Sequence, residues 1–204
     1  MSADYSVEIE GAAEVSRALD KIAWATTPRG MHQVLKDAGM ILRKRSMQAF
    51  RDESAPEYVG DGDGGGEQWE PLAANTEHAR RKGRRSRGRA NKILQDTGEG
   101  RRSIGIDTDV SDGSVAVGTA KQHMLYQQTG TDPYTITPKN APMLVFMGPD
   151  GHLVSAKKVN HPGLPARAFL GYDKSDIESI LKMTVTHLKR AAGGNRASLA
   201  ALLA

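Results

Sequence analysis

Apolar and polar positions repeat along the first quarter of the chain with two periods, and each period predicts a different element. The segment 5–9 alternates apolar and polar residues, which predicts a half-buried first strand. In the next two segments apolar residues recur every three or four positions, which predicts amphipathic helices. The first is a short helix after Gly11. The second is a longer core-packing helix that begins at Thr27-Pro28 and ends near Arg51. Thr27 is its predicted cap, and Pro28 is a proline in its first turn. Their apolar faces comprise Val15, Ala18, Leu19 and Ile22 in the short helix, and Met31, Val34, Leu35, Ala38, Ile41, Leu42 and Ala49 in the longer one.

The second half of the chain alternates short strand patterns with two helices. Strands are predicted at 103–110 and 115–117 around an Asp112-Gly113 turn, and at 134–137, 143–147 and 152–154. A short helix from Lys121 to Gln128 ends before Gly130, and a capping box at 175–178 opens a final helix that stops at Gly193-Gly194. The buried side of that final helix is predicted to carry Ile177, Ile180, Leu181, Thr184 and Leu188.

These elements predict an α+β fold in which a mostly antiparallel sheet of about five strands packs against the long early helix and the C-terminal helix. We expect one α+β domain over 1–192 and a flexible C-terminal tail over 193–204. A long Gly-rich and basic loop over 52–92 is inserted in the domain, and its glycine cluster at 60–66 makes ordering costly. We therefore expect this loop to be mobile in the free subunit, with proteolysis cutting first between Gly60 and Lys92.

Composition excludes several classes of site. The 204 residues include no cysteine, which rules out disulfides, thiol nucleophiles and zinc sites that need thiolate. The first five residues lack the pattern of a secretory signal, and no apolar run approaches the ~18 residues that a membrane span requires. We expect a protein made in the cytoplasm without contact to a membrane.

Positive charge is concentrated in the run 80–92. Eight of the 28 Lys and Arg residues lie there without an acidic residue, so the rest of the chain holds 20 basic against 24 acidic residues. The run can contact DNA phosphates without sequence specificity, seat on an acidic partner surface, or contact only water. It lacks the interleaved aromatic residues on which bases would stack. The candidate contact residues are Arg80, Arg81, Lys82, Arg84, Arg85, Arg87, Arg89 and Lys92.

Motifs for chemistry are weak. Gly60-x-Gly62-x-x-Gly65 fits the dinucleotide pattern, but two acidic residues follow where a helix start should meet phosphate. Asp61-x-Asp63 begins like a calcium loop, yet its twelfth position is Leu72 rather than a bidentate carboxylate. The six histidines have no metal-binding spacing, and no Gly-x-Ser-x-Gly motif is present. We therefore predict no catalytic residue, metal or cofactor, while a hydrolase site assembled in three dimensions stays an alternative.

Several short motifs occur in an order that resembles the virion morphogenesis (tail completion) family of Mu-like tailed phages. The resemblance runs from about Val34 to Ala191. Two departures stand out: residues 99–101 depart from the family's usual small helix with leucine at its second position, and residues 127–129 replace part of its Tyr-Ala-x-x-His-Gln-x-Gly motif. The matching positions are Trp69, Pro71, Leu72, Thr97, Gly98, Ser103, Gly118, Tyr126, Gly130, Pro165, Arg167, Phe169 and Leu170.

The resemblance implies a non-catalytic structural protein that completes the phage tail and helps join it to the DNA-filled head. It also implies a location in the virion neck, a homo-oligomeric ring that is commonly sixfold, and contacts with the tail tube or terminator and the head–tail connector. The loop over 52–92 would order on assembly. The rival hypothesis is a nucleic-acid-binding protein that acts through the basic run 80–92.

Overall fold

A computed structural model of the protein describes residues 12–60, 65–82, 92–109, 111–148 and 152–193. These residues form an α+β structure with six helices and six short strands. The predicted first strand at 5–9 and the C-terminal tail from residue 194 onward lie outside the described residues. The helices are α1 (Ala12–Ala25), α2 (Pro28–Asp52), α3 (Ala74–Lys82), α4 (Glu99–Arg102), α5 (Gln122–Thr129) and α6 (Lys174–Ala191).

The strands pair in three separate two-stranded sheets, where the sequence predicted one sheet of about five strands. The strands are β1 (Gly105–Asp109), β2 (Ser114–Gly118), β3 (Tyr134–Ile136), β4 (Leu144–Met147), β5 (Leu153–Ala156) and β6 (Val159–His161). β1 pairs with β2, β3 with β6 and β4 with β5, the last two pairs being antiparallel. β6 has no counterpart in the sequence prediction. Strands of three to five residues offer few backbone hydrogen bonds, so their grouping depends on contacts distant in sequence.

The long helix α2 begins as the cap predicts. The main-chain N–H of Gly30 donates to the hydroxyl of Thr27 at 3.1 Å, and Pro28 occupies the first helical position. Val34, Ala38 and Ala49 are buried, as their three- and four-residue spacing predicts.

Two other helices differ from their predicted burial. In α6, Ile177 is 40% and Leu181 58% exposed, so both side chains lie outside the core to which they were assigned. In α1, Val15 and Leu19 are each about half exposed. A three- to four-residue period identifies one apolar face of a helix, but it does not show that the molecule itself covers that face.

The N-terminal cap of α6 also differs from the prediction. The carboxylate of Asp176 accepts a hydrogen bond from the main-chain N–H of Asp173 at 2.8 Å, and α6 begins at Lys174. The side-chain bond at the helix start thus lies two residues before the predicted Ser175–Glu178 box. The two aspartates are favoured there because both of them also pair with Arg45 of α2.

The predicted mobile excursion is held to the structure at several described points. Tyr58 and Tyr172 exchange two main-chain hydrogen bonds of 2.9 and 3.0 Å, and their rings stack with centroids 5.2 Å apart. Ser54 forms a bridge with Gln68, and the helix α3 follows. The segments 54–60 and 65–82 of the predicted loop thus contain contacts and a helix, while the mobility of the loop in the free subunit stays a prediction.

Contacts group the described residues into two compact units. One unit draws on the ranges Met1–Ala38, Thr108–Val115 and Glu178–Ala204, and the other on Gly39–Asp107 and Ala116–Ile177. The larger unit holds the hydrophobic core of Ala49, Phe50, Trp69, Ile93, Ile104, Met124 and Phe169.

Candidate partner-binding surface

The segment around Trp69 is anchored in the core of the larger unit. The Trp69 side chain is 5% exposed and meets the ring of Phe50 edge-on, with centroids 5.7 Å apart at 82°. Its indole N–H donates to the carbonyl of Ala168 at 3.0 Å. Leu72 packs against the same core. Because an indole both buries a large area and satisfies its donor here, it holds an otherwise apolar-poor segment in place.

Arg167 fixes the neighbouring residues of that segment. Its Nε donates to the carbonyl of Glu70 and its Nη2 to the carbonyl of Pro71, each at 3.1 Å. The side chain is largely buried, and burial lowers the pKa of its guanidinium, while the charge of Glu70 acts in the opposite direction. This arginine therefore contributes to structure through main-chain carbonyls rather than through an ion pair.

Gln128 of α5 holds the chain on the other side of Arg167. Its Oε1 accepts the main-chain N–H groups of Phe169 and Leu170 at 3.0 and 2.9 Å, and its Nε2 donates to the carbonyl of Leu170 at 3.0 Å. The Phe169 ring is fully buried against Phe50 with centroids 5.3 Å apart. One side-chain amide thus satisfies three backbone groups next to the core. The sequence assigned Gln128 no role of its own. It showed only that residues 127–129 replace part of a family motif.

The other motif residues lie at turns, helix ends and the surface. Gly130 ends α5 with φ of 74°, and a Cβ there would lie 2.8 Å from the carbonyl oxygen of Leu164. Gly98 precedes α4 with φ of 71°, and Thr97 Oγ1 accepts the N–H of Glu99 at 3.3 Å. The hydroxyls of Ser103 and Thr119 lie 2.6 Å apart, and Gly118 is the last residue of β2. Pro165 is half-buried. Tyr126 is exposed, and its hydroxyl is hydrogen-bonded to the side chain of Gln122. α4 forms despite the departure at 99–101.

The basic run is described only at its two ends. Arg80 and Arg81 lie on the last turn of α3, where Arg80 donates to the carbonyl of Lys92 at 2.8 Å and Arg81 lies 3.6 Å from a carboxylate oxygen of Glu77. Lys82 is the last residue of α3, and Lys92 Nζ lies 3.7 Å from a carboxylate oxygen of Glu53. Four predicted contact residues, Arg84, Arg85, Arg87 and Arg89, lie outside the described residues.

Arg45 joins α2 to the start of α6, a pairing that no sequence pattern indicated. Its guanidinium lies 2.6 Å from Asp173 and 2.7 Å from Asp176, and a second nitrogen reaches Asp176 at 3.0 Å. These hydrogen bonds and charges raise the pKa of Arg45, with the bond to Asp176 contributing most. The partners are about 130 positions apart in sequence, a separation at which spacing carries no signal.

Apolar side chains are exposed on the hairpin of β4 and β5. Val145 is 65% and Leu153 74% exposed. In the register of the hairpin, Val145 lies opposite Ser155 and Leu153 opposite Met147, so these positions share one face. Phe146 and Val154 lie opposite each other on the second face and are also exposed. Two exposed apolar faces on one small hairpin are typical of a surface that a partner covers.

The described residues show neither a metal site nor a membrane span. No three His, Asp or Glu side chains among them group closely enough to hold a metal ion. None of the described helices is both long and apolar enough to cross a bilayer.

Comparison with models of protein families supports the resemblance that the motifs indicated. The model of the phage virion morphogenesis family matches residues 11–189, which is most of the chain. Comparison with curated proteins and with solved structures found no match. The chain therefore belongs to the phage virion morphogenesis family and takes part in assembling the virion together with other virion proteins.

Proposed function

We propose that the protein completes the phage tail and helps join the tail to the DNA-filled head, as a non-catalytic component of the neck. The family match over residues 11–189 carries this proposal. Within the family, the motifs that run from Trp69 to Leu170 are the reason for choosing the tail completion proteins of Mu-like phages. Tail tube or terminator proteins and the head–tail connector are the proposed neighbours.

The positions of the motif residues support a structural role. Trp69, Phe169 and Leu170 belong to or pack against the core, while Gly98 and Gly130 lie at turns. Such residues preserve the shape of the subunit and do not converge on a pocket. Function then depends on the surface that the subunit presents, as it does in assembly proteins.

The exposed hairpin supports the proposal of a ring. A ring needs a heterologous interface, in which one patch of each subunit contacts a different patch of the next and the rotation closes. We assign the hairpin of β4 and β5 to one side of that interface, because Val145 and Leu153 present apolar surface that a neighbouring copy would cover. Native mass spectrometry across a concentration series tests this, and a sixfold species is the expected one. A ring that forms equally well when the hairpin carries polar residues would remove the hairpin from the interface.

The basic run gives a second candidate function, which is nucleic-acid binding. Eight positive charges within 80–92 would favour sequence-independent and salt-sensitive contact with phosphates. Deletion of 80–92 separates the two hypotheses. The nucleic-acid hypothesis expects retention on DNA to be abolished along with function, whereas tail completion expects subunit contacts to persist after the deletion.

Phage that lack this protein provide the direct test of tail completion. We expect unjoined DNA-filled heads and defective tails in electron micrographs, with both restored when the protein is supplied in trans. Normal, infectious particles in its absence would overturn the proposal. A hydrolytic activity screen on the purified protein tests the enzymatic alternative.

A further inference from the structure

Helix α6 carries an apolar stripe that lies in contact with solvent. Ile177 is 40%, Leu181 58% and Val185 47% exposed, and the three side chains recur every four residues. Residues four apart in a helix lie on one face in successive turns, so the stripe runs for about 12 Å along the helix. Thr184 and Leu188 beside it are half-buried, which confines the exposed apolar surface to this stripe. Contiguous exposed apolar side chains are typical of a surface that a partner covers.

The stripe is symmetric about Leu181. Ile177 lies four residues before it and Val185 four residues after it, which is about 6 Å along the helix axis in each direction. Both outer residues are β-branched and therefore similar in shape and stiffness. Two copies of α6 that pack antiparallel about Leu181 would place Ile177 of each copy against Val185 of the other. This is the pattern of an isologous interface, in which one patch is complementary to itself.

Charged residues along one edge of the stripe fit the same antiparallel arrangement. Glu178 and Lys182 are exposed, and each follows a stripe residue by one position, so they share an edge of the helix. In the antiparallel pair, Glu178 lies about 4.5 Å from the midpoint, and Lys182 of the other copy lies about 1.5 Å from it on the same side. The order along the joint edge is then Glu, Lys, Lys, Glu, which sets a carboxylate beside each ammonium group.

A parallel pair of the same helices lacks this complementarity. It would set the edge of Glu178 and Lys182 against the opposite edge of the stripe, where Ile180 and Thr184 carry no charge. The two helix dipoles would also point in the same direction, whereas an antiparallel pair places each positive end beside a negative one. Charge and dipole therefore both favour the antiparallel arrangement.

We propose that α6 pairs two copies of this protein, antiparallel about Leu181, in the free protein. The occupant of the stripe is then the same stripe of a second copy. Three side chains from each copy make a small contact, so the pair is weak and exchangeable. The inference goes beyond the proposed function and does not depend on it, because the ring contact was assigned to the hairpin of β4 and β5.

Cysteine cross-linking of the full-length protein tests the pair and its register. The chain has no cysteine of its own, so one introduced thiol reports one position. Leu181→Cys lies at the midpoint and should give a disulfide-linked dimer under mild oxidation. Ile177→Cys and Val185→Cys should each stay monomeric alone and should cross-link when the two variants are mixed. Gel electrophoresis without a reductant measures the dimer.

The control for cross-linking is Thr186→Cys. Thr186 is an exposed residue of α6 that lies off the stripe, so its dimer should form at least about tenfold more slowly than that of Leu181→Cys, because a disulfide needs closely facing Cβ atoms. Equal rates for these two variants would overturn the pairing. Ile177→Cys that links to itself as fast as to Val185→Cys would overturn the antiparallel register.

Charge reversal tests the pair without an introduced thiol. Glu178→Lys and Lys182→Glu each set like charges along the joint edge, so we expect each to raise the dissociation constant of the dimer at least about threefold in sedimentation equilibrium. The double variant restores alternating contacts and should return to within about twofold of the wild type. Arg190→Glu, on the opposite side of the helix, is the control and should also stay within about twofold. A double variant as weak as the single ones would contradict the proposal.

Another occupant of the stripe gives a different result. If a different virion protein covers it, the wild type stays monomeric at every concentration and Leu181→Cys does not cross-link, and the proposal is wrong. These measurements on the purified protein are separate from the test of tail completion, which uses phage that lack the whole protein. Either result can therefore fail without the other.

Discussion

At the scale of single residues, main-chain groups next to the core are satisfied by side chains rather than by a sheet. Gln128 serves the backbone of Phe169 and Leu170, and Arg167 serves the carbonyls of Glu70 and Pro71. Sheets of two short strands leave many backbone groups to be paired in other ways, because a buried unpaired N–H or carbonyl is costly. The side chains that make these contacts are therefore as important to the fold as its apolar core.

Gln128→Ala tests how much one such amide contributes. The change leaves two N–H groups and one carbonyl without their partner, so we expect the free energy of unfolding to fall by about 2–3 kcal/mol. Urea denaturation measures it. The matched control is Gln122→Ala, since Gln122 is exposed and makes one hydrogen bond to Tyr126, and its loss should stay below about 0.5 kcal/mol. Equal losses in the two variants would show that the Gln128 contacts contribute little.

A second prediction at this scale concerns Asp109 at the turn after β1. Its carboxylate accepts the hydroxyl of Ser111 at 2.6 Å and two main-chain N–H groups, and these bonds, the hydroxyl first, lower its pKa. Because the folded pKa lies below the unfolded one, the stabilisation is present above the unfolded pKa and is lost as pH falls toward the folded value. We expect Ser111→Ala to raise the pKa of Asp109 in an NMR titration. Ser114→Ala, a nearby exposed serine, should leave it unchanged.

At the scale of elements, the sequence predicts the helices, caps and hairpins that depend on neighbouring residues. It does not predict strand pairings between segments that are distant in sequence. The cap at Thr27, the helix α2 and the β4–β5 hairpin follow from residues a few positions apart. The division into three small sheets and the pairing of β6 with β3 do not, because register between short strands depends on packing. The periodicity of α6 identified its apolar face, but the exposure of Leu181 depends on what the rest of the molecule covers.

The candidate site was predictable only in part, because its contacts also join residues that are distant in sequence. Trp69, Arg167 and Phe169 were identified through the order of the family motifs, and the aromatic types of Trp69 and Phe169 suit a core. That Arg167 lacks a carboxylate partner follows from the positions of all described acidic residues at once. No spacing within the chain encodes such a property.

Arg45→Met tests the link between α2 and the start of α6. The variant leaves Asp176, whose side chain is 10% exposed, and its neighbour Asp173 as unpaired carboxylates. We expect a loss of about 3 kcal/mol in the free energy of unfolding, since removing one partner of a largely buried ion pair exposes the full desolvation cost of the other. Chemical denaturation measures it. Lys44→Met on the same helix is the control because Lys44 is exposed, and a comparable loss there would mean that the ion pair is not the cause.

At the scale of the whole molecule, membership of a virion assembly family and exposed apolar surface both indicate a subunit that other proteins contact. A subunit that works alone would be expected to cover the valine and leucine side chains of a hairpin, whereas an assembling subunit keeps them for its neighbours. The charge distribution fits this view, since positive charge is gathered in one run of the sequence. Under the proposed function, assembly would depend on separate apolar and charged contacts, which mutation can remove one at a time.

The double variant Val145→Ser and Leu153→Ser tests the apolar contact. Both side chains are mostly exposed in the isolated subunit, so we expect the free energy of unfolding to change by less than about 0.5 kcal/mol. In the proposed ring the same side chains would be buried, and their loss would remove about 1.5–3 kcal/mol per side chain from each interface. Native mass spectrometry should therefore show folded monomers under conditions in which we expect the wild type to form rings, and phage carrying the variant should accumulate unjoined heads. Thr137→Ser, which shortens another exposed side chain, is the control. Intact rings in the double variant would place the interface on another surface and leave the hairpin without a function in assembly.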